Sequence, residues 1–67
     1  MTIQELYKEG IFRLKQARIA EAELDAWYLL EYVTGISRTM YYLKQAEPAE
    51  EQAAERYFDC ISRRAQR

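Results

Sequence analysis

The sequence predicts an all-α fold, a small orthogonal or irregular bundle of about four helices over 3–17, 20–34, 38–45 and 48–66. Three observations predict it. Strong helix formers dominate a chain that has only two glycines and one proline. Apolar residues return every three to four positions along most of its length. Helix-start and helix-stop residues stand at the ends of those periodic runs.

The first helix opens on a capping box, Thr2-Ile3-Gln4-Glu5. The Thr2 hydroxyl accepts from the Glu5 amide, and the Glu5 side chain accepts from the Thr2 amide. Ile3, Leu6, Tyr7, Gly10, Leu14 and Ala17 then fall on one face of roughly 100°. A mid-helix glycine costs about 1 kcal/mol relative to alanine. Close approach of another helix at Gly10 is the expected compensation. Glu9 and Arg13 stand one turn apart and support each other. Phe12 points nearly opposite the core face, so it is either open to solvent or covered by something outside the chain.

Residues 17–20 make a connection with neither glycine nor proline, placed by the loss of periodicity. On the next helix, 20–34, Ala22, Ala26, Leu29, Leu30 and Val33 share a face. Leu24, Trp27, Tyr28 and Tyr32 cover most of the rest. A helix apolar nearly all round is a buried one, so this one is expected at the centre. It is too short for a bilayer, which needs about 20 apolar residues.

Gly35 suits the left-handed position that ends many helices, and Ile36 is expected to tuck back onto the core. Ser37 N-caps the third helix. Its run Met40-Tyr41-Tyr42-Leu43 covers every direction of a turn, so it is either wedged between neighbours or leaves an aromatic outside. Pro48 is expected at the first position of the last helix, with Glu47, Glu50 and Glu51 at its positive end. Ala49, Ala53, Tyr57, Ile61 and Ala65 repeat every four residues, with Ala54 and Phe58 beside them. Arg63, Arg64 and Arg67 sit late, where the helix dipole favours them.

A net charge of −1 with 49% apolar and 31% charged residues describes one globular domain over 1–67. There is no basic stripe to follow a nucleic acid backbone. The chain has one cysteine and no histidine, so internal disulfides and the common zinc and nucleophile–histidine arrangements are excluded. That cysteine usage and the lack of a visible signal peptide point to the cytoplasm. No glycine-rich loop follows a strand, so phosphate-cradling fingerprints are absent. The carboxylates read as solvated charges, and no group is poised for acid–base work. No catalytic, cofactor-binding or metal-ligating residue is therefore assigned.

Asp25 borders the apolar face of the second helix. It either pairs with Arg38, accepts from the amides opening the third helix, or is simply exposed near its own N-terminus. Phe12, Trp27, Tyr28 and one of Tyr41 and Tyr42 cannot all face one small core. Phe12, Trp27 and Tyr28 are thus candidate partner contacts, since aromatics are enriched at binding hot spots. The competing reading is that the helices cover them.

Four phrases in order carry a family likeness: Leu14-Lys15-Gln16-Ala17-Arg18-Ile19, then Leu24-Asp25-Ala26 followed by Leu29-Leu30, then Gly35-Ile36-Ser37-Arg38, and last a helix with Glu50-Glu51-Gln52 at its start and Arg63-Arg64 near its end. Together they resemble the N-terminal helical domain of the release-factor glutamine methyltransferases, the HemK/PrmC family. One departure is Arg18, where the family often has glycine, so a different closure of that loop is expected. The resemblance implies an N-terminal domain standing alone, excised or truncated. The family's enzymes continue into an α/β domain that binds S-adenosylmethionine and carries an Asn-Pro-Pro-Tyr motif. This chain has no asparagine and cannot match it.

The resemblance also implies a role. The domain helps to grip a class I peptide release factor while the enzyme's own catalytic domain methylates the glutamine of a Gly-Gly-Gln loop. By this reading the chain is non-catalytic, with no direct nucleic acid or membrane partner. The alternative is a free-standing helical interaction module, for example a homodimer burying Phe12 or Trp27.

Overall fold

Four helices follow one another: α1 (Ile3–Gln16), α2 (Ala22–Thr34), α3 (Arg38–Lys44) and α4 (Glu51–Gln66). The structure, a computed structural model, describes residues 1–66. Arg67, counted above among the late basic residues, lies outside the described residues.

The start of α1 leaves no amide without an acceptor. Thr2 and Glu5 form the predicted capping box, with the Thr2 amide 2.7 Å from Glu5 Oε1 and the Glu5 amide 3.1 Å from Thr2 Oγ1. The amides of Ile3 and Gln4 donate to the carbonyls of Glu47 and Gln45 at 3.0 and 2.9 Å. Helix N-termini need such acceptors because their first amides have no partner within the helix. The Ala49 amide donates in turn to the Met1 carbonyl at 2.8 Å, and Thr2 and Pro48 form an isolated antiparallel bridge.

This pairing corrects the expected start of the last helix. Pro48 is not its first residue, and α4 begins at Glu51. The carbonyls of the preceding segment are turned toward α1, and that direction is incompatible with helix.

The end of α1 is a Schellman motif. The Arg18 amide donates to the Lys15 carbonyl and the Ile19 amide to the Leu14 carbonyl, both at 3.0 Å. Arg18 takes φ +62°. It therefore adopts the left-handed conformation that glycine takes without steric cost. Ile19 folds in beside Leu14 and both are buried. That inward turn delays α2 to Ala22.

Gly35 ends α2 at φ +71°, its amide donating to the Glu31 carbonyl at 2.7 Å. Ser37 then caps α3, its hydroxyl accepting from the Met40 amide at 3.1 Å. Both follow the expectation from sequence.

Helices α1, α2 and α4 pack on one another around Leu6, Leu14, Ala26, Leu30, Tyr57 and Ile61, all fully buried. Each buried leucine or isoleucine side chain contributes roughly 1.5–3 kcal/mol relative to exposure. Gly10 admits the Tyr57 ring: a Cβ at Gly10 would lie 2.8 Å from two ring carbons and closer still to the hydroxyl. The close approach predicted at Gly10 is thus that of a side chain, whose phenol donates to the Ala26 carbonyl at 2.9 Å. Burial pushes the Tyr57 phenol well above the ordinary tyrosine range.

One expectation about α2 is overturned. Its outer face is not wrapped: Leu24, Tyr28 and Tyr32 are exposed. Three helices can cover a fourth on every side only if all three are long. Here α3 has seven residues and docks mainly through Tyr41.

Candidate functional site

The aromatics divide into an inner cluster and outer faces. Tyr7 of α1, Trp27 of α2 and Tyr41 of α3 meet edge to face, with centroids 5.5–5.8 Å apart and planes 77–79° apart. Tyr42 adds a fourth ring 5.7 Å from Tyr41. Such edge-to-face contacts follow from the ring quadrupole and add about 0.5–1.5 kcal/mol per pair beyond burial. Trp27 is only 9% exposed. It is therefore not available as an open partner contact, because α3 covers it.

Arg38 caps this cluster. Its guanidinium stands 4.4 Å over the Trp27 ring, and 5.8 and 5.7 Å from the centroids of Tyr7 and Tyr42. A hydrogen bond with Tyr7 holds the Arg38 guanidinium above its already high ordinary value. Burial raises the Tyr41 phenol. The guanidinium and rings fasten α3 to the two helices beneath it.

Asp25 does not meet Arg38 or the amides of α3. It binds Arg64 of α4, with Nε and Nη2 at 3.0 and 2.9 Å from Oδ2. The reason lies in helix geometry. Asp25 and Trp27 are two residues apart, so they point about 160° away from each other around α2. A guanidinium seated on Trp27 cannot reach Asp25. Arg64 follows Ile61 by three residues, so it sits at the edge of the α4 face that packs on α2. That spacing was the signal in the sequence that could have named it.

Phe12 and Tyr28, the other two candidate contacts, are each 56% exposed, on different helices. The structure does not bring them together with Trp27. Sequence reasoning passed over Leu24 and Tyr32, which line up with Tyr28 at four-residue spacing on the outer face of α2; Tyr32 is 76% exposed. The wheel of α2 alone predicts them covered, because it carries no sign of how short α3 is. Met40, Tyr42 and Leu43 form another exposed apolar set on α3.

A cleft of about 610 Å³ lies between the start of α1, the end of α2 and the start of α4. Ile3, Leu6, Val33, Ile36, Met40 and Ala53 give it aliphatic walls, with Lys44, Glu47 and Arg56 also in the lining. These walls can hold an apolar side chain. Among the described residues, no group of three or more His, Cys, Asp or Glu side chains could hold a metal ion. No described helix is long and apolar enough to cross a membrane. The neighbourhoods of the two glycines do not suit S-adenosylmethionine either. Gly10 is filled by Tyr57, and Gly35 ends a helix and follows no strand.

A family model described as the PrmC N-terminal domain matches residues 5–67. The chain is also similar to the release factor glutamine methyltransferase of Deinococcus radiodurans, at 37% identity over 67 residues. That alignment covers 100% of this chain and 24% of the relative, so the chain spans about a quarter of that protein's length. No solved structure gives a significant match.

Proposed function

This chain belongs to the PrmC N-terminal domain family, and from that premise we propose that it is the substrate-recognition domain of a protein-glutamine methyltransferase. In this reading the domain grips a class I peptide release factor in the cytoplasm. Methyl transfer to the Gly-Gly-Gln glutamine belongs to a separate S-adenosylmethionine domain of the whole enzyme. The observation that carries the reading is the match over the chain's full length to a relative whose name gives both the substrate and the reaction. A rigid helical unit with large apolar side chains facing outward is consistent with gripping a protein.

The test is calorimetry of the 67-residue chain with a purified class I release factor, alongside a methyl-transfer assay with labelled S-adenosylmethionine. Weak, saturable binding without methyl transfer is expected. No binding, or methyl transfer by this chain alone, overturns the reading.

A further inference from the structure

We propose that the outer face of α2 is a docking surface for a protein partner that presents an apolar patch rimmed by lysine or arginine. The proposal rests on the reading that the domain grips a protein, and it assigns the gripping face. Leu24, Tyr28 and Tyr32 form one stripe along this helix, one turn apart and exposed. Tyrosines so placed offer large, stiff contact area on a backbone that is already ordered.

The charge of the partner follows from how the acids of α2 are used. Glu23 and Asp25 face neighbouring helices and are neutralised there, Glu23 by Lys15 at 3.5 Å and Asp25 by Arg64. Glu21 and Glu31 accompany the outer stripe, and neither has an ion-pair partner among the described residues. Residues 22–34 contain no lysine or arginine. Glu31 also lies in the last turn of α2, where the helix dipole disfavours negative charge. Cations arriving at the two ends of this face, about 15 Å apart along the helix, satisfy the two carboxylates, and the one at Glu31 offsets that penalty. An acidic or neutral partner does neither.

The experiment measures binding of a purified class I release factor to the wild-type chain, to Tyr28→Ala/Tyr32→Ala and to Glu21→Lys/Glu31→Lys, at low and high salt. All four side chains are exposed, and circular dichroism checks that each variant keeps its fold. The tyrosine pair is expected to weaken binding about tenfold or more. The charge reversal is expected to weaken it and to remove most of its salt dependence. Wild-type affinity in both variants overturns this proposal and leaves the recognition reading standing.

If the wild type does not bind the release factor, the recognition reading fails. The face is then decided with a synthetic leucine–lysine amphipathic helix, followed by amide shifts. Shifts confined to residues 21–32 carry the proposal, and shifts elsewhere or none overturn it. Sedimentation that shows a dimer broken by the tyrosine pair assigns the face to a second copy, which also overturns it.

Discussion

The Tyr57 hydroxyl reaches across the gap left by Gly10 and donates to the Ala26 carbonyl at 2.9 Å. One side chain thereby touches three helices. The missing Cβ of α1 is the space that the phenol of α4 needs to reach α2.

Gly10→Ala is therefore expected to destabilise the domain. Alanine gains about 1 kcal/mol of helix propensity over glycine. Overpacking a filled core costs typically about 1–3 kcal/mol, and the atoms in the way belong to a fully buried ring with no room to swing. The nearest obstructing atom is the hydroxyl, so Tyr57→Phe should recover part of the loss. A urea-denaturation double-mutant cycle measures this, and strict additivity would show that the two positions do not compete for space.

Alkaline pH should expose the same tyrosine. Burial keeps the Tyr57 phenol protonated above its ordinary value of 10.0, at which the unfolded chain loses that proton. Above that pH the unfolded state binds fewer protons than the folded one. The contribution is thus complete below pH 10 and is lost as pH rises toward the folded-state value. Tyr57→Phe is expected to cost about 1 kcal/mol at neutral pH through the lost hydrogen bond. The stability gap between wild type and Tyr57→Phe should stay constant up to about pH 9 and narrow as pH rises through and beyond about 10. A constant gap would mean that the phenol titrates alike in both states.

Arg18→Gly should leave the protein more stable than Arg18→Ala, which gives up the same side chain but keeps a Cβ. Arg18 holds φ +62°, a left-handed conformation that costs a residue with a Cβ roughly 1–2 kcal/mol. Part of the relief is offset by the greater freedom of glycine in the unfolded chain. A net gain of about 1 kcal/mol raises the Tm of a domain this size by about 4–8 °C. Thermal melts of the two variants followed by circular dichroism decide it, and a Tm for Arg18→Gly no higher than that of Arg18→Ala refutes strain at this position.

Arg38→Ala should loosen α3 without unfolding the rest. The guanidinium 4.4 Å over Trp27 and the buried Tyr41 are the main anchors of that helix. A cation–π contact at such a site is worth about 0.5–1 kcal/mol. Hydrogen exchange at amides 41–44 should quicken about fivefold, while core amides of α1 and α4 keep their rates. Arg38→Lys keeps the charge but not the flat guanidinium, and should restore only part of the protection. Uniform acceleration throughout the chain would show instead that Arg38 supports the whole fold.

The features legible in the sequence are those decided within a turn or two of helix. The Thr2–Glu5 box, the Gly35 stop, the Ser37 cap and the inward faces of α1 and α4 all depend on spacing alone. The features that escaped depend on where distant segments meet. Asp25 finds Arg64 only once α4 lies along α2. Pro48 is drawn out of helix by the amides of Ile3 and Gln4, which no local pattern around residue 48 announces. The same holds for the surface. Phe12 and Tyr28 were legible as outward candidates, whereas the covering of Trp27 and the baring of Tyr32 depend on how α3 docks.

The amides opening α1 have a further consequence for a chain made one residue at a time. Ile3 and Gln4 are made well before residues 45–47, yet their acceptors are the carbonyls of Glu47 and Gln45. Until that segment emerges, the beginning of α1 has only its capping box, and a lone helix of this length is marginal in water. The α1 N-terminus is therefore completed only after α2 and α3 have been made. Vectorial synthesis then gives this domain no stable amino-terminal half, and its helices are gained together once α4 has emerged.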